Sequence, residues 1–195
     1  MKERLQYWLG GLREVWQPGY SCSYRLYRLK EALAPIALAL VIFALGMAAG
    51  CSDTTPVNKA VIPELKAPVN DYAGMISDSA KNQLNRLLIS TLKSGGPQIA
   101  ILTIPSLNDS DIESYTMTVC ETWKLGKSGK DDGVLIFASR GDRKMRIEVG
   151  RGLEEKLTDI AAGKIVRDKM RIAFKEGNFD KGFVDAVDAV LNTIK

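Results

Sequence analysis

The sequence predicts one α/β domain over roughly residues 67–195, built as a three-layer α/β/α sandwich around a small mixed sheet. Three observations carry this. Two apolar, β-branched runs, Gln98 to Ile104 and Gly133 to Ser139, flank a helical pattern. A third run, Lys144 to Val149, alternates charged and apolar residues with the period of a half-buried strand. Leucines recur at helical spacing ahead of the first strand.

Taken in order, Ser77 is an N-cap, and Leu84, Leu87, Leu88 and Leu92 mark one face of a helix that stops at Gly95-Gly96. The strand Gln98–Ile104 ends at Pro105. Asn108 or Ser110 caps a second helix running to about Leu125, with Glu113 closing a capping box on Ser110. The turn GKSGKDDG leads into the strand Gly133–Ser139, and Gly141 sits in a hairpin turn before Lys144–Val149. Thr158 or Asp159 opens a third helix, and Phe179, Phe183, Val187, Val190, Leu191 and Ile194 mark a fourth. Strand, helix, strand is a right-handed crossover, so the first two strands form a parallel pair and the hairpin adds an antiparallel strand at one side.

With 195 residues the chain suits one domain plus appendages. Its net charge of +4 is unevenly placed: residues 1–50 hold six Lys/Arg against three acids, and residues 51–195 hold 21 against 20. The domain is near neutral, which argues against nucleic acid as a partner. The absence of histidine removes the usual general base and the commonest zinc ligand, so any metal site must be built from oxygen. Cys22, Cys51 and Cys120 have neither metal-knuckle nor disulfide-framework spacing.

Residues 32–50, ALAPIALALVIFALGMAAG, carry no charge and follow Arg25, Arg28 and Lys30. That length fits a membrane helix or a long signal-peptide core, and the basic flank keeps the N-terminus cytoplasmic while the rest crosses. The run ends Ala48-Ala49-Gly50-Cys51, which resembles the lipobox of bacterial lipoproteins, with Ala48 where that pattern prefers Leu. The resemblance implies lipidation of Cys51; an uncleaved anchor and a cleaved soluble form are the alternatives. Residues 1–31 form a basic, aromatic N-terminal region. Residues 51–66, with prolines at 56 and 63, read as an extended tether.

The hairpin returns Gly150-Arg151-Gly152-Leu153-Glu154 to the sheet edge that carries Asp131 and Asp132, with Asp159 a few residues further on. Carboxylates beside glycines that admit a close backbone approach suit a hard cation such as Ca²⁺ or Mg²⁺. The same residues also read as turn formers and an N-cap satisfied by backbone amides. Asp109, Asp111 and Glu113 are spaced like the start of an EF-hand, but Ser114 occupies the position where that loop needs Gly.

Several linked motifs carry a wider resemblance: VNDYAG at 69–74, QIAILTIPSL at 98–107, KDDGVLI at 130–136, RKMRIEVGRGLE at 143–154 and LTD at 157–159. Together they resemble the TPM domain, a family that includes bacterial membrane-anchored proteins and a thylakoid lumenal photosystem II repair protein. The resemblance implies a three-layer α/β/α domain facing an extracytoplasmic space, here the bacterial cell envelope. It also implies an acidic site to which metal binding and acid phosphatase activity are attributed in some members. Position by position, the matching acids are Asp71, Asp132, Glu148, Glu154 and Asp159. Arg151 stands where an aromatic is common and would neutralise a phosphate; Ile172 replaces a frequent proline. Two functions follow as expectations. One is a divalent-cation-binding module, anchored to the membrane and partnered with envelope or membrane proteins in assembly, repair or quality control. The other is a metal-dependent phosphatase acting on phosphate monoesters. No residue stands out as a nucleophile.

Overall fold

The computed structural model describes residues 61–195; the region 1–31, the apolar run 32–50, Cys51 and most of the tether lie outside the described residues. Four strands form one sheet in the order β1 (Val69–Asp71), β2 (Gln98–Ile104), β3 (Gly133–Ser139), β4 (Lys144–Val149). The first three are parallel and β4 is antiparallel to β3. This is the expected mixed α/β sheet with one strand more than the sequence pattern predicts. The additional strand, β1, is three residues long and contains Asn and Asp, so it has no periodicity of its own. Pairing with β2 defines it, Val69 opposite Ile101 and Asp71 opposite Thr103, while the Asn70 side chain accepts the amides of Lys66 and Ala67 to fix its approach.

The helices are α1 (Asp78–Lys93), α2 (Ile112–Trp123), α3 (Asp159–Ile165), α4 (Arg171–Lys175) and α5 (Phe179–Ile194). Ser77 caps α1 through its hydroxyl, which accepts the Ala80 amide, and Thr158 caps α3 in the same way through the Ala161 amide. The second helix corrects the expected cap. Asp111, rather than Asn108 or Ser110, accepts the Ser114 amide, because Asn108 and Asp109 take positive φ and turn the chain into the helix one residue later. The predicted third helix is divided by a wide π-helical turn, Val166–Met170, between α3 and α4.

The alternation along the strands sorts the core into two clusters. Ile99, Ile101, Val134, Ile136, Ile147 and Val149 meet α1, α3 and α5 on one face. Ala100, Leu102, Leu135 and Phe137 meet Tyr115, Val119 and Trp123 of α2 on the other. In β4 this places Met145, Ile147 and Val149 toward the larger cluster and Arg146 and Glu148 toward α2. The end of the predicted tether belongs to the fold: Ile62 and Leu65 pack against the α2 cluster.

Candidate functional site

The site expected from the sequence is distributed over two opposite ends of the sheet. At the N-terminal end of β3, the hairpin does return Gly150–Glu154 beside Asp131 and Asp132. The Gly150 amide donates to the Gly133 carbonyl at 2.7 Å, the Gly152 amide to the Asp131 carbonyl at 3.2 Å, and Arg151 lies 3.7 Å from the Asp131 carboxylate. The two glycines serve this junction. A Cβ on Gly150 would stand 2.1 Å from the Asp131 carbonyl oxygen, and one on Gly152 1.7 Å from that of Lys130.

Asp132 is buried in the same junction. It accepts the Lys127 amide at 2.7 Å and pairs with the Lys127 ammonium at 3.3 Å. That ammonium also donates to the Gly95 and Gly96 carbonyls beyond α1, so one lysine of the GKSGKDDG turn ties the helix end to the carboxylate. Beside them a cleft of about 650 Å³ opens between the last turns of α1 and α5, lined by Thr91, Pro97, Asp132, Leu191 and Asn192 among others.

Asp71 occupies the other end of the sheet. Its carboxylate accepts the Met75 amide at 2.9 Å and the Ile76 amide at 3.1 Å, together with the Thr103 hydroxyl, and Lys81 lies 3.7 Å away. Burial opposes its ionisation, but Thr103, the two amides and Lys81 outweigh it and hold the carboxyl below the usual carboxylate range. Nearby, Asp142 accepts the Ser139 hydroxyl and the Leu107 amide, which lower its pKa in the same direction, and Arg140 donates to the Ala73 carbonyl at 3.0 Å. Gly141 is needed here for proximity, since a Cβ would stand 2.8 Å from the Pro105 carbonyl oxygen.

The parallel register decides whether these ends share a ligand. Asp71 lies opposite Thr103, and Thr103 opposite Ala138, six residues along the chain from Asp132. At about 3.3 Å per strand residue the two carboxylates are separated by roughly 20 Å, far beyond the reach of one cation. Glu148 is engaged elsewhere, accepting Arg146 at 2.7 Å and the Thr116 hydroxyl at 3.1 Å on the α2 face. Glu113 also pairs with Arg146 at 3.2 Å. Burial opposes the Arg146 charge, yet Glu148, Glu113 and Asp159 outweigh it and raise its pKa. Glu154 and Asp159 are exposed.

Among the described residues no group of three His, Cys, Asp or Glu side chains is placed to hold a metal ion. The donor chemistry gives the reason: the oxygens of Asp71, Asp132 and Glu148 are occupied by the domain's own amides, hydroxyls and cations. The predicted set therefore does not fit a shared Ca²⁺ or Mg²⁺. Sequence reasoning missed Lys127, Arg146 and Asp142, whose only local signal is a charge next to a turn or within an alternating strand.

The TPM domain family model matches residues 69–193, which takes in every strand and helix described above except the final residue of α5, Ile194. This chain belongs to the TPM domain family. A solution structure of the N-terminal domain of a protein from P. gingivalis is similar to this TPM domain, at 30% identity and a TM-score of 0.61, covering 65% of this chain and 81% of that one. The N-terminal domain of the cg2496 protein from Corynebacterium glutamicum shares the fold at 18% identity and a TM-score of 0.53, covering 70% and 86% respectively. Comparison with curated proteins finds no match.

Proposed function

We propose that this TPM domain is an extracytoplasmic binding module of the bacterial cell envelope, anchored to the membrane through its N-terminus and serving the assembly, repair or quality control of envelope proteins. The observation that carries this reading is the commitment of Asp71, Asp132 and Glu148 to internal hydrogen bonds. Asp71 and Asp132 build the loops at the two sheet ends and Glu148 ties β4 to α2, which leaves recognition to the surface. The uncharged run 32–50 behind Arg25, Arg28 and Lys30 supports the anchor, and Cys51 its lipidation. Among the described residues no helix is long and apolar enough to cross a membrane.

Fractionation of cells expressing the full chain tests the anchor and the location together. The chain partitions with membranes and is digested by protease added to spheroplasts. A Cys51→Ser variant that still fractionates with membranes but is larger by the signal segment assigns lipidation to Cys51. Protection of the domain from external protease would sink the extracytoplasmic assignment. Calorimetric titration with Ca²⁺ and Mg²⁺ gives no heat on this reading.

A second reading, hydrolysis of phosphate monoesters, is favoured by one feature. Asp71 and Asp142 lie with Thr103, Ser139 and Arg140 at the C-terminal ends of the parallel strands, where open α/β sheets place their ligand sites. Turnover of p-nitrophenyl phosphate that is lost in Asp142→Asn, with the fold retained, would establish it against the binding module.

A further inference from the structure

The segment that precedes β1 lies across α2 without forming helix or strand. Three aromatic side chains of the domain donate to its main chain. The Tyr115 hydroxyl bonds the Val61 carbonyl at 3.2 Å, the Trp123 indole N–H bonds the Pro63 carbonyl at 2.8 Å, and the Tyr72 hydroxyl bonds the Glu64 carbonyl at 2.7 Å. Between and just after these anchors Ile62 and Leu65 pack onto the apolar α2 cluster, while Val61 and Glu64 face solvent. Donors aimed at carbonyls, with pockets for selected apolar side chains, are how proteins recognise extended and proline-containing peptides. The donors belong to the part of the chain matched by the family model and the segment they hold lies ahead of it.

We propose that the α2 face is a peptide-binding groove occupied in cis by residues 61–65, and that its partner in trans is an extended segment of the pattern apolar–Pro–x–apolar on another protein. The cis segment supplies the chemistry of the ligand: three accepting carbonyls, a proline that holds the chain extended, and two apolar side chains three residues apart. It also regulates the groove. A covalently linked strap competes at an effective concentration on the order of millimolar, so a trans segment binds well only when the strap is displaced. The groove stands on its own geometry and does not depend on how the chain is anchored.

The test is fluorescence anisotropy of a labelled peptide of residues 60–66, AVIPELK, with the full chain in detergent micelles. The peptide binds the groove released by Ile62→Asp and Leu65→Asp with a Kd of about 0.1 mM or tighter, at least about tenfold better than the wild type, which is the ratio of a cis competitor's effective concentration of about 1 mM to that Kd. Trp123→Phe in the released background weakens it by up to about tenfold, through loss of one half-buried hydrogen bond. A scrambled peptide binds neither protein. In the wild type, millimolar peptide accelerates hydrogen exchange at the Lys66 and Ala67 amides; this readout decides the matter if the released variant does not fold. Equal binding by wild type and released protein, equal binding of the scrambled peptide, or unchanged exchange would overturn the proposal. So would released chains that associate with the strap of an intact copy and ignore the peptide, which would make a second copy the occupant.

Discussion

Replacing Asp71 separates a carboxylate that builds a loop from one that binds a ligand. Its side chain is 2% exposed and accepts two backbone amides and the Thr103 hydroxyl. Asp71→Ala strands these donors in a site that water scarcely reaches. At about 1–3 kcal/mol for each unsatisfied buried group, softened by local relaxation, the expected loss is about 3 kcal/mol. Unfolding entropy of about 2.1 cal/mol/K per residue converts this to a fall of about 10 °C in Tm for the described domain. Asp71→Asn retains one accepting oxygen for Met75 and Thr103 but turns an NH₂ toward the Ile76 amide, so it loses roughly half as much. The pH dependence has a definite sign. The folded pKa is depressed, so the stabilisation is fully present above the unfolded value of about 3.9 and is lost as pH falls through the folded value. The Tm gap between wild type and Asp71→Asn therefore narrows below about pH 4. Thermal unfolding followed by circular dichroism from pH 3 to 7 measures all of this. An Asp71→Asn protein as stable as wild type at pH 7 would refute the reasoning, because a ligand-binding carboxylate is the kind whose removal leaves stability unchanged or improves it.

Gly152→Ala drives a Cβ into the Lys130 carbonyl and costs about 3 kcal/mol or more by urea denaturation. Gly74→Ala, at φ +62° with open space around it, costs only about 1 kcal/mol for its backbone conformation. Lys127→Met unties the α1 end from Asp132 and lowers stability by about 1–2 kcal/mol, with hydrogen exchange rising first at residues 94–98. Phe183→Ala removes a fully buried ring that packs 5.0 Å from Phe174 and costs about 3–5 kcal/mol in chemical denaturation.

Elements whose determinants are local in sequence were legible. The β2 and β3 runs, the alternation of β4, the Ser77 cap and the apolar face of α5 need only neighbours within a few residues to define them. The β1 strand was not legible, because three residues containing Asn and Asp become a strand only when β2 supplies the pairing. The Asp111 cap escaped for a related reason: positive φ at Asn108 and Asp109 shifts the helix start past two equally good capping residues. The strap at 61–65 reads as tether because prolines and polar residues look the same whether or not Tyr115 and Trp123 hold them.

The candidate site shows where that boundary lies. By itself the sequence determined the α/β class, the TPM motifs, the near-neutral domain and the return of Gly150–Glu154 to the Asp131–Asp132 end, since hairpin connectivity is short-range. Only the tertiary structure decided that Asp71 belongs to the opposite end, because strand register across β1, β2 and β3 is set by side-chain packing between distant segments. It also decided that Gly150 and Gly152 admit the neighbouring loop, whose Asp131 and Lys130 carbonyls fill the space a side chain would need. A carboxylate in a sequence declares its charge, whereas its partners are chosen by the contacts that folding brings within about 3 Å.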